Sequence, residues 1–399
     1  MRSLLLAGFW ISAGALLWIY AGYPLLLLIL RRLRPAPIRR REIRPEVTVV
    51  VPAHDEEEVI GRKIEDTLAL EWPAERLEVL VVSDGSTDAT GAIADSWPDE
   101  RVRLLALERV GKATAMNAGA ADATGEVLVF TDANTRLSPD SLVRLVECLG
   151  DPAVGAACGR KTIRPGDADG AGVGEGLYWR LEDRLKRLES DTGSVFAADG
   201  GLYAIRRELY VPIEDPAQAD DIAVSARVVL QGRRLVYEPR AVAVEDAPAE
   251  GEAGELRRRI RVTNHSVRAL LALGSGVWTR GFYPVKLISH KLLRHFTPFF
   301  LALLLVTSLA LAPGSAIYAA ATGAQLAFYA LAALGFASRR TRVGRAAPLS
   351  APYWFCLASA AALVGILSVL AGRRIRLWTP RGGAAAEPSD PGPQHGGRP

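Results

Sequence analysis

The N-terminal apolar run, residues 4–30, contains no charged side chain. Such a run is too long for the core of a signal peptide and long enough to cross a bilayer as a helix. One arginine precedes the run, whereas six arginines follow it within residues 31–41. Because positively charged flanks stay in the cytosol, the pattern predicts a retained transmembrane anchor over residues 1–30. The N-terminus is then outside, and the following basic linker, residues 31–46, is in the cytosol.

Further apolar runs predict about three additional transmembrane helices within residues 296–371, at 296–312, 315–336 and 352–371. One anchor and three further crossings would leave the basic residues after 371 outside, against the positive-inside bias. Two explanations stay open: one segment is re-entrant or interfacial, or the number of crossings is different. The tail, residues 372–399, begins with basic residues and continues into a segment rich in Gly, Pro and Ala, which is typical of disorder.

The chain of 399 residues has a formal net charge of +4, which raises the question of a nucleic-acid partner. The arginine clusters, however, lie beside the apolar runs and carry no interleaved aromatic residues. This placement favours contact with a membrane surface and predicts no nucleic-acid partner. The three cysteines, Cys148, Cys158 and Cys356, lack CxxC spacing, so the sequence predicts neither a disulfide framework nor a zinc site.

Between the apolar ends, the chain alternates short apolar runs with segments of helical pattern. The runs at 47–52, 77–84, 102–107 and 126–132 predict strands, and the segments near 57–70, 88–96, 112–122 and 139–149 predict helices. Continuous apolar strands separated by helices indicate an α/β fold with a mostly parallel sheet covered on both faces. Ligands of such sheets bind at the carboxyl ends of the strands.

Polar residues cluster directly after three of the predicted strands, in the sequences PAHDEE, SDGSTD and TDANT. Any one of these clusters is also typical of an ordinary helix cap, but three at the same sheet edge indicate a single site. The segment GKATAMNAG, residues 111–119, lacks the spacing of a P-loop, and no GxGxxG sequence follows the first strand. Lys112, at the start of the predicted helix, is either a solvated lysine or a cation for a bound phosphate.

Seven segments together resemble the motifs of glycosyltransferase family 2, and they occur in the family's order: VPAHDEE, VSDGSTDAT, GKATAMNAG, VFTDANT, ADGGLYAIRREL, ADDIAVSARVVLQGRRLVYEP and RRRIRV. The resemblance covers residues 47–270. It extends to the flanking apolar helices of the membrane-bound branch of the family, which is similar to cellulose and poly-N-acetylglucosamine synthases. It implies a GT-A fold, here placed at residues 47–250, and an inverting enzyme that uses a nucleotide-sugar.

The resemblance also implies a D-x-D element that holds a divalent metal, Mg²⁺ or Mn²⁺, on the diphosphate of the donor. Asp132 and Asn134 occupy its two positions, and both offer the hard oxygen ligands that these metals prefer. Asn134 supplies an oxygen without a negative charge. By the same resemblance, the nucleotide-sugar is expected to contact Pro52, Ala53, Asp55, Glu57, Asp84, Lys112 and Asp132.

An inverting transfer needs a base that takes the proton of the acceptor hydroxyl. The resemblance gives this role to Asp221, the second of two adjacent aspartates, and repulsion between Asp220 and Asp221 is expected to raise one pKa of the pair. The alternative is that both aspartates cap a helix. The ADGG segment, residues 198–201, is expected to border the acceptor through Asp199 and Gly200.

The last motif departs from the family's Q-x-x-R-W, because Arg258 stands in place of the glutamine and Val262 in place of the tryptophan. Arg261 is retained, and the resemblance implies that it binds the leaving diphosphate. Val262 cannot supply an aromatic platform for the acceptor, which weakens the case for a long-chain polymerase. Residues 251–295 are also predicted to form amphipathic helices that lie on anionic lipid.

The sequence thus predicts a membrane-anchored glycosyltransferase that moves a sugar from a nucleotide-sugar, expected to be a UDP-sugar, to a growing polysaccharide. A single transfer to a membrane lipid is the alternative, and an inactive membrane scaffold is the alternative of another class. The chain is expected to be a multi-pass protein of the cell membrane with its catalytic domain in the cytosol. An accessory subunit is considered as a further partner.

Overall fold

The computed structural model describes residues 1–164, 173–246 and 251–374, so the segment 382–399, predicted to be disordered, lies outside the described residues. The strands are β1 Val47–Ala53, β2 Leu77–Asp84, β3 Val102–Leu107, β4 Val127–Phe130, β5 Thr135–Leu137, β6 Val154–Arg164, β7 Tyr203–Arg206 and β8 Arg234–Asp246. The helices of the first part are α1 Arg2–Leu33, α2 Glu57–Leu68, α3 Thr90–Asp95, α4 Lys112–Asp122, α5 Ser141–Leu149, α6 Val173–Asp191 and α7 Asp220–Leu230. The later helices are α8 Gly251–Ala272, α9 283–295, α10 Thr297–Leu311, α11 Ala316–Ser338 and α12 Ala347–Leu370.

The eight strands form one sheet in the order β3-β2-β1-β4-β7-β6-β8-β5. Strands β3, β2, β1 and β4 run parallel to one another, and β6 and β8 form a further parallel pair. Strand β7 is antiparallel to β4 and β6, and β5 is antiparallel to β8. The predicted α/β fold with a mostly parallel sheet is therefore confirmed, with antiparallel strands in its second half.

Apolar side chains cover both faces of the sheet. Successive residues of a strand point to opposite faces, so Val51 of β1 packs with Ile64 of α2, whereas Val50 packs with Met116 of α4 on the other side. All four side chains are buried. This two-sided burial explains why the strands are continuous apolar runs, and it leaves polar residues to the loops at the strand ends.

Helix α1 is fixed to the α/β domain by a buried polar cluster. The hydroxyl of Tyr23 donates a hydrogen bond to the Glu189 carboxylate of α6, and Nδ1 of His290 lies 2.8 Å from Oε1 of the same carboxylate. Nε2 of His290 lies 3.0 Å from Oε1 of Glu182, which precedes Glu189 by about two turns on the same face of α6. The cluster joins three elements that are far apart in sequence, so it sets the position of the first apolar helix against the domain.

Four helices of the described residues are long and apolar enough to cross a membrane: α1, the segment Thr297–Gly314 that contains α10, α11 and α12. Helices α10 and α11 are antiparallel neighbours, since Oγ1 of Thr322 donates to Oγ of Ser308 at 2.9 Å and Nε2 of Gln325 donates to the carbonyl of Leu301 at 2.8 Å. Helix α1 runs beside α10, where a Cβ on Gly8 would lie 3.1 Å from Cγ2 of Thr307.

Helix α12 contacts a neighbouring helix at each of its ends. Near its start, the carbonyl of Leu349 packs on Gly335 at the end of α11, where a Cβ would lie only 2.4 Å from that oxygen. Near its end, Oγ of Ser368 accepts a hydrogen bond of 2.7 Å from Nδ2 of Asn264 in α8. The second half of α12 therefore packs against α8.

Candidate active site

A cavity of about 280 Å³ opens at the carboxyl edge of the parallel strands. The loops after β1 and β4, the start of α4 and the start of α7 form one wall, and α8 forms the other. Eight of the predicted site residues line it: Pro52, Lys112, Asp132, Asn134, Gly200, Asp220, Asp221 and Arg261. They come from six separate motifs, so the fold brings most of the predicted site together in one place.

Lys112 lies at the centre of the charges in the cavity. Its Nζ is 2.7 Å from Oδ1 of Asp132 and 3.5 Å from Oδ2 of Asp220. Burial lowers the pKa of Lys112, but Asp132 and Asp220 raise it more, so the net pKa is above its usual value. Gly111, directly before this lysine, has a φ of 89°, a backbone conformation that favours glycine. Helix α4 begins at the next residue, Lys112. The lysine is thus held charged between the two predicted functional aspartates.

The loop of Asp132 and Asn134 rests on a lysine that the sequence did not single out. Lys63 of α2 is buried, and its Nζ donates to Oγ1 of Thr131 at 2.9 Å and to the carbonyl of Thr135 at 2.6 Å. Burial lowers the pKa of Lys63 to about 7. Its only signal in the sequence is a lysine on the apolar side of a predicted amphipathic helix. The contact fixes the ends of the loop that presents the two metal-ligand candidates.

The donor atoms present fit a metal that is shared with a diphosphate. Asp132 and Asn134 are half-buried and both line the cavity. Among the described residues there is no cluster of three His, Cys, Asp or Glu side chains that could hold a metal alone. Mg²⁺ and Mn²⁺ are commonly bound by one or two protein oxygens together with substrate phosphates and water, and this pair satisfies that requirement.

Two adjacent carboxylates open α7 on the floor of the cavity. The backbone N–H of Ile222 donates to Oδ1 of Asp221 at 2.8 Å, a contact within the first turn of the helix. Burial, followed by the neighbouring charge of Asp220, raises the pKa of Asp221 to about 6. Asp221 therefore combines a helix-start position with the raised basicity that was expected for one member of the pair.

Helix α8 supplies the opposite wall through Arg258, Arg261, Val262 and His265. His265 was not singled out in the sequence. Another unpredicted feature is the ion pair of Lys161 in β6 with Glu245 in β8, both of which line the cavity. The two residues lie 84 positions apart, and only the parallel pairing of β6 and β8 brings them together.

Three predicted donor-binding residues brace the loops around the cavity and are absent from its lining. Oδ1 of Asp84 accepts the backbone N–H groups of Val110 at 2.7 Å and Gly111 at 3.0 Å. Oδ1 of Asp55 accepts the N–H of Thr87 at 2.7 Å. In the same way, Oε2 of Glu57 accepts the N–H of Ala89 at 2.9 Å. These carboxylates connect the loop after β1, the loop after β2 and the start of α4.

The remaining two predictions, Ala53 and Asp199, are also outside the lining residues of the cavity. Ala53 is buried at the end of β1. Oδ2 of Asp199 accepts a hydrogen bond of 2.6 Å from Nζ of Lys186, a buried lysine of α6. Asp199 therefore lies one residue before the cavity-lining Gly200, with its carboxylate turned toward α6.

Comparison with known proteins shows which sequences and structures the domain is similar to. Residues 48–211 match the sequence profile described as Glycosyl transferase family 2. The chain is 28% identical over 216 residues to the β-monoglucosyldiacylglycerol synthase of Synechocystis sp., a match that covers 50% of this chain and 45% of the relative. It is 27% identical over 221 residues to the poly-β-1,6-N-acetyl-D-glucosamine synthase of Staphylococcus aureus, covering 54% and 53%. The chain spans about half the length of these curated relatives.

A solved structure resembles nearly the whole chain. It is the mannosyltransferase of Pyrobaculum calidifontis in complex with GDP-Man and Mn²⁺, with a TM-score of 0.65 and 26% sequence identity. The alignment covers 94% of this chain and 99% of that chain. At this coverage the similarity includes helices on both sides of the catalytic domain.

Proposed function

We propose that this chain, whose residues 48–211 match the Glycosyl transferase family 2 profile, is a member of that family and transfers a sugar from a nucleotide-sugar to an acceptor at a membrane, with inversion of configuration. The observation that carries the proposal is that a cation, a pair of metal-ligand oxygens and an acidic pair line one cavity. Lys112, Asp132, Asn134 and Asp221 come from three separate motifs and line the same cavity of about 280 Å³. A scaffold without activity would not need this combination.

In the proposed donor complex, Asp132 and Asn134 hold a divalent metal and Lys112 lies beside the diphosphate. The metal, when bound, supplies positive charge that stabilises the leaving diphosphate. Mn²⁺ and GDP-Man are bound by the related mannosyltransferase, which supports a metal and a nucleotide-sugar here. The sequence analysis favours a UDP-sugar, and both nucleotides therefore belong in any test of the donor.

In the proposed transfer, Asp221 takes the proton of an acceptor hydroxyl as the acceptor oxygen attacks the anomeric carbon. The new carbon–oxygen bond forms on the face opposite the bond to the diphosphate, and that bond breaks. The nucleoside diphosphate leaves with the bonding electrons, next to Lys112 and Arg261. A base with a pKa of about 6 is mostly ionised at neutral pH and still accepts a proton readily.

Two acceptor classes compete within this proposal. A growing polysaccharide agrees with the similarity to the poly-β-1,6-N-acetyl-D-glucosamine synthase, and the expectation from sequence leaned this way. A membrane lipid agrees with the similarity to the β-monoglucosyldiacylglycerol synthase. Val262 favours the lipid, because it lines the cavity at the position where processive members carry an aromatic residue.

The test uses the purified full chain in lipid nanodiscs with Mn²⁺ and a panel of radiolabelled UDP- and GDP-sugars. Products are separated into chloroform-soluble lipid and ethanol-insoluble polymer, with Asp132→Ala as the control for background label. Label in either fraction that depends on Asp132 supports the transferase. If no donor releases its nucleoside diphosphate, the inactive scaffold replaces this proposal.

We further propose that the chain is a multi-pass protein of the cell membrane with its catalytic domain in the cytosol. The four apolar helices and the arginines at 31–41 support this arrangement. Nucleotide-sugars are made in the cytosol, so the cavity would face its donor directly.

A further inference from the structure

A second cavity, of about 390 Å³, lies on the other side of α8 from the proposed active site. Its walls come from α1, α6, α8, α9, α12 and the start of α10. Tyr20 and Phe355 belong to two of the helices apolar enough to cross a membrane, whereas Glu182 and Arg259 belong to helices of the catalytic side. The cavity therefore lies where the apolar helices meet the catalytic domain.

Val262 connects the two cavities. It is the one residue that lines both of them among the residues that the structure describes, and its side chain is 41% exposed. A β-branched side chain of this size leaves space between the cavities that a larger aromatic side chain would occupy. A molecule held in the second cavity can thus reach toward Asp221 past this position.

The second cavity carries an excess of positive charge. Arg259, Lys291 and Arg294 line it together with the carboxylate of Glu182, which lies 2.8 Å from Nη1 of Arg294. Arg259 is paired with Glu255, 2.6 Å from its Nε, so the excess charge is that of Lys291. For Nζ of Lys291, no carboxylate of the described residues lies within 4.0 Å; its nearest aromatic contact is Phe196, 5.6 Å from the ring centroid. A half-buried cation without an ion pair is costly unless a ligand supplies the anion.

Two further observations support an anion-binding site near Lys291. Nε2 of His295, which lines the same cavity, is buried without a hydrogen-bond partner among the described residues. Burial lowers the pKa of Lys291, whereas the charges of Asp221 and Glu182 raise it, so the lysine is close enough to the proposed base to interact with it. An anionic group bound here would lie beside the base.

The other walls are apolar and aromatic. Phe196, Trp354 and Phe355 line the cavity, and Trp354 also lies 5.9 Å from the guanidinium of Arg259. An aromatic wall next to cations suits an amphiphile, with its charged head at the basic residues and its chain along the apolar helices. A soluble polysaccharide would use neither the charge nor the apolar wall.

We propose that this second cavity binds the phosphate headgroup of a membrane lipid that serves as the acceptor, with Lys291 and His295 contacting the phosphate and Val262 leaving the route to Asp221 open. The inference rests on the proposed glycosyltransferase function and narrows its acceptor. Two sources share this chemistry. In a phosphate monoester lipid the attacking oxygen is already ionised; in a phosphodiester lipid a headgroup hydroxyl attacks and Asp221 takes its proton.

The first experiment measures binding and needs no turnover. The full chain is placed in phosphatidylcholine vesicles, and a long-chain alkyl phosphate with a brominated chain is added to quench tryptophan fluorescence. Trp354 lines the cavity, so the difference in quenching between the unaltered chain and Trp354→Phe measures how much of the cavity is occupied. Lys291→Gln should require at least ~10-fold more lipid phosphate for half-maximal quenching, because a hydrogen bond to a charged group is lost. Arg342→Gln removes the same charge from an exposed loop outside the cavity and should bind as the unaltered chain does.

The second experiment measures transfer from the donor found active. The vesicles contain the alkyl phosphate, phosphatidylglycerol or diacylglycerol as the added lipid. Label is expected on one of the two phosphate lipids, and Asp221→Asn should abolish transfer to phosphatidylglycerol, because the headgroup hydroxyl of that lipid needs a base. Val262→Trp should block lipid transfer by filling the passage between the cavities.

The outcomes separate this inference from the proposed function. Equal quenching by brominated phosphatidylcholine and the alkyl phosphate, or equal binding by Lys291→Gln, would overturn the phosphate site. Transfer to diacylglycerol or to polymer, with none to either phosphate lipid, would overturn it as well while leaving the glycosyltransferase intact. Specific binding without release of nucleoside diphosphate from any donor would keep the phosphate site but remove the proposed function.

Discussion

Asp221 lies among charges of both signs, and their balance sets how readily it accepts a proton. Burial and the charges of Asp220 and Asp199 raise its pKa, whereas the positive charge of Lys291 lowers it. Lys112 lies in the same cavity and also interacts with Asp221. The net result is a carboxylate with a pKa of about 6, whose ionised form is the one that can act as a base.

The pH dependence of the reaction follows from this balance. With a hydroxyl acceptor, kcat/KM should rise with pH and reach half of its plateau near pH 6, because the ionised Asp221 is required. Lys291→Gln removes a nearby positive charge, so it should raise the pKa of Asp221 and move the acidic limb to higher pH. Arg342→Gln should leave the limb in place. An acidic limb that stays fixed in Lys291→Gln would mean that another group controls it.

Replacement of the base itself separates chemistry from binding. Asp221→Asn keeps the size and most of the polarity of the side chain but cannot accept the proton. With a hydroxyl acceptor, turnover should fall at least ~10²-fold, while the dissociation constant of the nucleotide-sugar, measured by calorimetry, should change little. Weaker donor binding with unchanged turnover would instead identify Asp221 as a structural residue at the start of α7.

Asp132 should control the response to metal. In Asp132→Ala, the cavity loses the charged member of the oxygen pair and the carboxylate that lies 2.7 Å from Nζ of Lys112. Mn²⁺-dependent turnover should be lost, and the donor should no longer bind more tightly when Mn²⁺ is added. Asp66→Ala, which removes an aspartate paired with Arg136 outside the lining residues, is the matched control. Near-normal turnover of the unaltered chain in excess EDTA would contradict a metal at this position.

At the scale of elements, the packing of α4 on the sheet positions Lys112. Gly119 lies so close to the strands that a Cβ there would be 2.6 Å from Cγ1 of Val50 and 2.9 Å from Cγ2 of Val82. Any side chain at this position has to push the helix away from the sheet. The distance between α4 and the strands, and with it the place of the lysine in the cavity, depends on this glycine.

Gly119→Val should destabilise the domain by about 1–3 kcal/mol, the usual cost of overpacking a core. The midpoint of thermal unfolding in detergent should fall, and donor binding should weaken. Gly61→Ala, in helix α2, is the control. A Cβ at Gly61 would make only ordinary contacts, 3.8 Å from Ile93 and from Trp97, so that variant should be neutral or slightly more stable. Equal midpoints for both variants would show that α4 can shift without cost.

The local elements were predictable from sequence, whereas their long-range neighbours were not. The strands predicted at 77–84 and 102–107 are observed with those bounds, because each is a short run rich in apolar residues between polar segments. The run at 126–132 was predicted too long, since β4 ends at Phe130 and the chain then turns to present Asp132. The order of β7, β6 and β8 in the sheet leaves no local pattern in the sequence.

The candidate site divides in the same way. Lys112, Asp132 and Asp221 belong to contiguous motifs, so their presence in one cavity could be anticipated. Lys63 could not, because its role depends on a burial that only the packed helix creates. The second cavity was also unpredicted: Lys291 had no assigned role, and the walls around it come from six helices spread over most of the chain.

At the scale of the whole molecule, the course of α12 bears on how the chain crosses the membrane. Helix α10 begins at Thr297, next to the helices that contact the catalytic domain, and α11 returns antiparallel to it. The start of α12 packs against the end of α11, and beyond its end the carbonyl of Arg373 accepts a hydrogen bond of 2.6 Å from Nη2 of Arg268 in α8. Both ends of α12 therefore lie on the catalytic side, as expected for a re-entrant or interfacial helix.

This arrangement predicts three crossings, by α1, α10 and α11, and a C-terminal segment on the same side as the catalytic domain. It would remove the conflict with the positive-inside bias, because Arg373 and Arg374 would stay with the other arginine clusters. The test uses single cysteines in a background that lacks the three native ones, each labelled by a membrane-impermeant maleimide in sealed, oriented proteoliposomes. Arg374→Cys should react from the same side as Glu75→Cys in the catalytic domain and from the side opposite to Ser315→Cys in the α10–α11 turn. If Arg374→Cys instead reacts together with Ser315→Cys, α12 crosses the membrane, and the second cavity is then bordered by a transmembrane helix.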